Sequence, residues 1–290
     1  MKVTGFSFIK NAIVFEYPIV EAIKSILPIC DEFVVAVGKS DDETRQLITS
    51  IDPEKIKIID TVWDESLRKG GEVLAKETDK AFAAISKDSD WAFYIQGDEV
   101  VHEKYLKNIR ESMLKYKDHD KIDGLLFNYL HFYASYDYVG ASFDWYDHEI
   151  RIIKNDKSIF SFKDAQGFRK EEGKKLRVAK IDAFIYHYGW VREPSAMQRK
   201  QESFHKMWHG DEWIEKNLGT NEEFNYEHNL KELKRFEGTH PSVMQKRIDE
   251  KNWKFDIDIS RNYKTKKDKL KGLMKNKFGM GFYKNYTIEK

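Results

Sequence analysis

Short apolar runs and amphipathic stretches take turns along the first 116 residues of the chain. Residues 3–9 alternate loosely between apolar and polar and predict a strand. Pro18 then stands at a helix entry, and Ile19, Val20, Ala22, Ile23, Ile26 and Leu27 follow at helical spacing. Phe33, Val34, Val35, Ala36 and Val37 form a continuous apolar run, as a parallel strand buried on both faces requires. Ser40-Asp41-Asp42-Glu43 has the S-x-x-E form of a capping box and predicts a helix start. Residues 56–59 read as another strand and 71–85 as a helix with Val73, Leu74, Phe82 and Ile85 facing inward. Residues 91–95 make a fourth strand, with a helix over 102–116 behind it. This alternation predicts a parallel α/β sheet with right-handed crossovers. After Ile122 it stops. Aromatic, strand-like segments at 125–133, 150–153 and 183–188 follow, then a long helical region from Pro194 to about residue 218.

Composition narrows the class. At 290 residues, with 41% hydrophobic, 34% charged and only 5 Pro, the chain can bury a large core and is neither collagen-like nor disordered. No run of 18 apolar residues predicts a membrane span, and the first ten residues lack a secretory core. The lone Cys30 cannot form an internal disulfide and reads as a small buried residue, so a cytoplasmic setting is expected. A net charge of +1 conceals an asymmetry: residues 261–290 hold ten Lys and Arg against Asp268 and Glu289, a surplus of +8, leaving −7 for the rest. Such a tail is either a solvated extension or a contact for an anionic membrane surface.

Ligands of open α/β sheets collect at the carboxyl ends of the strands. Three such ends are polar here: Ser7-Phe8-Ile9-Lys10-Asn11, Gly38-Lys39-Ser40-Asp41-Asp42 and Gln96-Gly97-Asp98-Glu99. Two adjacent carboxylates after an apolar strand are poor core formers. They suit a divalent cation that in turn holds a diphosphate, or else the start of a helix whose dipole they favour. No G-x-G-x-x-G, P-loop or G-x-S-x-G motif occurs, which removes the main support for dinucleotide, P-loop and serine-hydrolase readings. His205 and His209 share a helix face, but Lys206 stands where a zinc-protease helix needs Glu, so both are expected to face solvent.

The segment from Gly5 to Asn11, the Val-rich strand ending in Gly38-Lys39-Ser40-Asp41-Asp42-Glu43-Thr44, and Tyr94-Ile95-Gln96-Gly97-Asp98-Glu99 together resemble family-2 glycosyltransferases of the GT-A fold. Phe162-Lys163-Asp164-Ala165-Gln166-Gly167-Phe168-Arg169 and Ile185-Tyr186-His187-Tyr188-Gly189-Trp190-Val191-Arg192 extend the resemblance to about residue 210. The fold it implies is α/β, a GT-A-like nucleotide-diphospho-sugar transferase fold. Its mostly parallel central sheet is flanked by helices and carries a helical, basic C-terminal extension. The catalytic domain would cover residues 1–210, with a nucleotide-sugar half at 1–130 and an acceptor half at 131–210, and the extension residues 211–290. The activity implied is transfer of a sugar from a nucleotide-diphosphate donor to a glycan or lipid-linked acceptor, with inversion and with Mn²⁺ or Mg²⁺ as cofactor.

The resemblance also distributes roles. Asp98 would be the principal metal ligand, with His187 and Glu99 beside it. Gln96 replaces the first Asp of the family's D-x-D. Ser7, Phe8, Asn11, Asp42, Arg68, Gln96 and Gly97 would line the donor site; Gly38 stands where the family commonly has a base-contacting Asp, which leaves the donor base open. Displacement at an anomeric carbon needs a carboxylate to take the acceptor's proton. Asp164 is the first candidate and Asp144 the second. The aromatic stretch from Tyr129 to Tyr146 suits sugar faces, or equally an aromatic core. Two rivals stay open: a nucleotidyltransferase, and a non-catalytic carbohydrate- or polyanion-binding protein. No nucleic-acid partner is expected.

Overall fold

The computed structural model describes residues 1–67, 69–142, 145–171, 173–209, 212–213, 222–227, 230, 232–259 and 285–289. Its elements in chain order begin with β1 (Val3–Ile9), α1 (Ile19–Ile26), β2 (Glu32–Gly38), α2 (Thr44–Thr49), β3 (Ile56–Thr61), α3 (Glu72–Ala83) and β4 (Trp91–Tyr94). Then come β5 (Glu99–Val101), α4 (Leu106–Tyr116), β6 (Gly124–Tyr133), β7 (Ser135–Gly140), β8 (His148–Lys154), β9 (Ile159–Phe162) and β10 (Gly167–Lys170). The rest are β11 (Lys174–Trp190), α5 (Pro194–Lys206), β12 (Leu233–Arg235), α6 (Gln245–Asp249) and β13 (Tyr286–Ile288).

The strands join in the order β3-β2-β1-β4-β8-β6-β11-β10-β9. From β3 to β4 every pairing is parallel, as the βα alternation predicts. Strand β8 then enters antiparallel between β4 and β6, and β6 runs parallel to β11. The chain therefore has the α/β organisation expected from its sequence, a parallel half continued by a mixed half. Side chains of β2 alternate between two cores: Phe33, Val35 and Val37 join the cluster under α1 and α4, while Val34 and Ala36 join Phe6, Phe82 and Phe168 on the α3 side. Both faces of this strand are covered, which explains its uninterrupted apolar run. Cys30 is buried in the first cluster.

The described part of the C-terminal extension packs back onto the mixed half. Strand β12 pairs with β7, the Trp253 indole donates to the Ala134 carbonyl (2.7 Å), and the Tyr188 hydroxyl meets His240 Nδ1 (2.8 Å). Strand β13 adds to β11 in parallel at Leu176–Val178. Residues 260–284 and 290, nearly all of the basic stretch, lie outside the described residues. Among the described residues no helix is long and apolar enough to cross a membrane.

Candidate functional site

The carboxyl ends of β1, β2 and β4 meet at one edge of the parallel half. Two of the intervening loops are laced together. Asn11, in the left-handed region at φ 53°, donates from Nδ2 to Asp41 (3.0 Å) and accepts from the Asp41 amide (2.8 Å). Asp42 accepts from the amides of Ile13 and Val14 with one oxygen, and from the amide and hydroxyl of Thr44 with the other. Burial raises its carboxyl, but these donors together outweigh that and hold it below the ordinary value. Both residues thus shape the rim. Phe8 packs on Trp63 at 5.9 Å, and a side chain at Gly38 would meet the same indole at 2.5 Å, so an aromatic ring fills the space beside Gly38. The Ser7 hydroxyl is fully buried and donates across the seam to the Ile95 carbonyl (2.6 Å), so it stitches β1 to the end of β4 and faces no ligand.

Beyond β4, adjacent carboxylates take opposite directions. Glu99, expected as a metal ligand, is completely buried and grips Arg151 in a two-pronged pair (2.8 and 2.7 Å). It also accepts from the Tyr129 hydroxyl (2.8 Å) and the Gln96 amide (3.1 Å). Both oxygens are consumed, so Glu99 is a structural acid and not a metal ligand. Asp98 is 8% exposed and meets groups of β11 and α5 instead. The amide of Tyr188 fixes its backbone (2.8 Å), Lys200 Nζ lies 3.2 Å from Oδ2, and His187 Nε2 lies 3.7 Å from Oδ1. Burial would raise the Asp98 carboxyl, but Lys200, with His187 and Arg192 beyond it, holds it well below the usual carboxylate range.

The protons around His187 follow from its neighbours. His131 Nε2 lies 2.9 Å from the Tyr146 carbonyl, which only accepts, so that nitrogen carries hydrogen. Burial, and His187 beside it, push His131 down to about 3, which keeps it neutral and leaves its Nδ1 bare. The hydrogen in the 3.1 Å contact between the two Nδ1 atoms therefore belongs to His187. Burial also lowers His187 against the pull of Asp98, so its Nε2 presents a lone pair toward the Asp98 carboxylate. Two lone-pair donors aimed at one spot fit a cation. Gly189 keeps the spot open, since a Cβ there would stand 2.5 Å from His187 Nε2 and 3.0 Å from Asp98 Oδ2. The ladder between β11 and β6 is irregular between His187 and Trp190, the kind of bulge that re-aims side chains. Among the described residues no group of three His, Cys, Asp or Glu side chains is arranged to hold a metal. The pair fits an open site that substrate phosphates complete.

Asp164 sits at the tip of the β9–β10 hairpin, between Lys163 (φ 59°) and Ala165 (φ 61°), both left-handed. Gln96 donates to the Ala165 carbonyl (3.1 Å), and Arg151 spans from Glu99 to the Gln166 carbonyl (2.9 Å), so the hairpin is tied to the Asp98 turn. Burial raises the Asp164 carboxyl. Gly97 packs beneath, within reach of Ile9, Ile19 and Tyr17. Arg68 and Asp144 lie outside the described residues. Tyr129, Phe132, Tyr133, Tyr136 and Tyr138 are buried in the core, so most of the aromatic stretch is core and no sugar platform. His205 and His209 stack on Trp213, with centroids 5.1 and 3.7 Å away, and are half-buried where solvent was expected. Sequence reading assigned no role to Arg151, His131, Arg192 or Lys200. Arg192 stands inside the Ile185–Arg192 motif, whereas Lys200 reaches Asp98 across 102 positions, a pairing only the fold creates.

No protein-family model matches the chain, and no curated protein matches it. Among solved structures, TarS 1-349 from S. aureus in complex with UDP-GlcNAc is 14% identical over 70% of this chain and 65% of its own, with a TM-score of 0.42. The chain spans 39% of a longer TarS structure. Glucosyl-3-phosphoglycerate synthase from Mycobacterium tuberculosis, in complex with Mn²⁺, UDP and phosphoglyceric acid, is 19% identical over 45% of this chain and 43% of its own (TM-score 0.30). The 4-diphosphocytidyl-2C-methyl-D-erythritol synthase from Anaerococcus prevotii is 11% identical over 53% and 70% (TM-score 0.31).

Proposed function

We propose that the chain is a glycosyltransferase that takes its sugar from a nucleotide-diphosphate donor and passes it, with inversion, to a glycan or lipid-linked acceptor. The observation that carries this reading is the convergence of the Asp98 carboxylate and the His187 Nε2 lone pair at the carboxyl end of β4, where α/β sheets take phosphorylated ligands. Asp98 and His187 would hold Mn²⁺ or Mg²⁺, which when bound offsets the charge of the departing diphosphate. His131 orients His187 and fixes its tautomer. Gln96 and Gly97 form the turn that carries Asp98, Asn11 and Asp42 set the loops that would surround the nucleotide, and Phe8 lies with Trp63 on the base side. Asp164 would take the proton of the acceptor hydroxyl. Its raised carboxyl is closer to the acidity that such a transfer needs than an ordinary aspartate's.

The test is release of nucleoside diphosphate from a panel of nucleotide sugars with crude glycan and lipid acceptors, in Mn²⁺ and in EDTA. At least one donor is expected to turn over, about 100-fold or more slower in Asp98→Asn. Failure of every donor to turn over or to bind would overturn the reading. Condensation of a sugar phosphate with a nucleoside triphosphate would replace it by a nucleotidyltransferase.

A further inference from the structure

Arg192 is 1% exposed and makes no ion pair with a carboxylate among the described residues. Its Nε donates to the Phe15 carbonyl (2.8 Å), one Nη donates to the Gly189 carbonyl (2.5 Å), and the guanidinium lies 4.8 Å from the centre of the Tyr17 ring. The second Nη is buried without a hydrogen-bond partner among the described residues. Lys200 comes to the same place from α5. It donates to the same Gly189 carbonyl (2.8 Å) and to Asp98 Oδ2 (3.2 Å), with its ammonium 5.1 Å from the Tyr17 ring centre. Two basic side chains therefore share one carbonyl and one ring beside the Asp98 carboxylate. A buried guanidinium with a free donor is costly unless a ligand completes it.

We propose that Arg192 and Lys200 form an anion subsite for the diphosphate of the donor, one that holds it even when no divalent cation is present. Lys200 neutralises Asp98 in the free protein and turns to the incoming phosphate oxygens, while the unpartnered Nη of Arg192 supplies a second charge-assisted donor. A diphosphate carries enough charge and enough oxygens to engage both basic groups and still share oxygens with a metal at Asp98 and His187. This inference deepens the glycosyltransferase reading and rests on it for the identity of the anion.

The experiment uses the full chain and inorganic pyrophosphate, titrated calorimetrically in EDTA, with UDP, GDP, ADP and CDP as competitors. Wild type is expected to bind pyrophosphate in EDTA, and at least one nucleoside diphosphate to displace it. Affinity should fall at least tenfold in Arg192→Gln and in Lys200→Gln, recover in large part in Lys200→Arg, and hold or rise in Asp98→Asn, where Lys200 is released. Arg192 also ties Phe15 to Gly189, so Lys200→Gln decides the matter if Arg192→Gln does not fold. No binding in EDTA, or equal binding by wild type and the Gln variants, overturns the subsite. Those results beside normal nucleotide-sugar turnover would leave the enzymatic reading standing. Arg192-dependent pyrophosphate binding without turnover of any nucleotide sugar would support the subsite and remove that reading.

Discussion

Arg151 and Glu99 are both fully buried and hold each other at 2.7 Å, so neither can be removed alone without stranding a charge in the core. Arg151→Met is expected to destabilise the fold by about 3–5 kcal/mol in urea unfolding, and Arg151→Met with Glu99→Gln to cost less than the single change. A double variant no more stable than Arg151→Met would refute the coupling. Sequence could mark Asp98-Glu99 as unusual but not divide the labour between the two acids. Adjacent residues at a strand start point to opposite sides, and which side is core depends on Arg151, 52 positions away. His187 was legible as a candidate only through the resemblance that its local motif carries. Its partner His131 was not, because β6 and β11 bring the two rings together from positions 56 apart.

Elements decide how tightly these groups are aimed. The turn that presents Asp164 is flanked by two left-handed residues and abuts Gly71, which has φ +69° and whose added Cβ would lie 2.7 Å from Asp164 Cβ. Gly71→Ala is expected to lower kcat at least tenfold through displacement of the hairpin, while costing only about 1–2 kcal/mol of stability for the left-handed backbone. Unchanged kcat would detach Asp164 from the chemistry. At the bulge of β11, Gly189→Ala should abolish the response of nucleotide binding to Mn²⁺ and leave the far-ultraviolet dichroism unchanged; a preserved Mn²⁺ response would show that the lone pairs of His187 and Asp98 do not share a cation. The βα half could be read from pattern alone because each strand there is a short apolar run. Strand β5 was missed because three residues carry no periodicity, and the full length of β11 because it opens on Lys174 and Lys175. The helix expected over 102–116 begins instead with a single tighter turn at Glu103–Tyr105 before α4.

Across the molecule, buried titratable groups should shape the pH response, and one buried acid makes its own part separable. Glu149 is 2% exposed, accepts from Asn285 (3.3 Å), and is pushed up to about 7 by burial against the pull of Arg151. The folded chain thus keeps a proton that an unfolded glutamate releases near its ordinary value, so the contribution of Glu149 is greatest in mild acid and is lost as the pH rises through about 7, opposite in sign to that of the buried neutral His131, which is lost as the pH falls below the ordinary histidine value. Between pH 5.5 and 8 the Glu149 part amounts to about 2 kcal/mol, from 1.36 kcal/mol per unit. Glu149→Gln should remove that part of the slope in urea titrations at the two pH values; an unaltered slope would assign it to another group.

Asn285, which also receives Arg169 through its carbonyl and side chain, leads directly into β13. The lower stretch of β11 and the pocket of Glu149 and Arg169 are therefore finished by residues made long after the rest of the sheet. At ribosomal speeds of ~5–20 residues per second, roughly ten seconds separate Trp190 from Tyr286. During that interval a nascent chain carries an open strand edge and an Arg169 still without its Asn285 acceptors, the condition in which a passing chain or a chaperone can take the place of β13. Deleting residues 285–290 should make that waiting state permanent, seen as aggregation on synthesis that a supplied peptide of the same residues relieves.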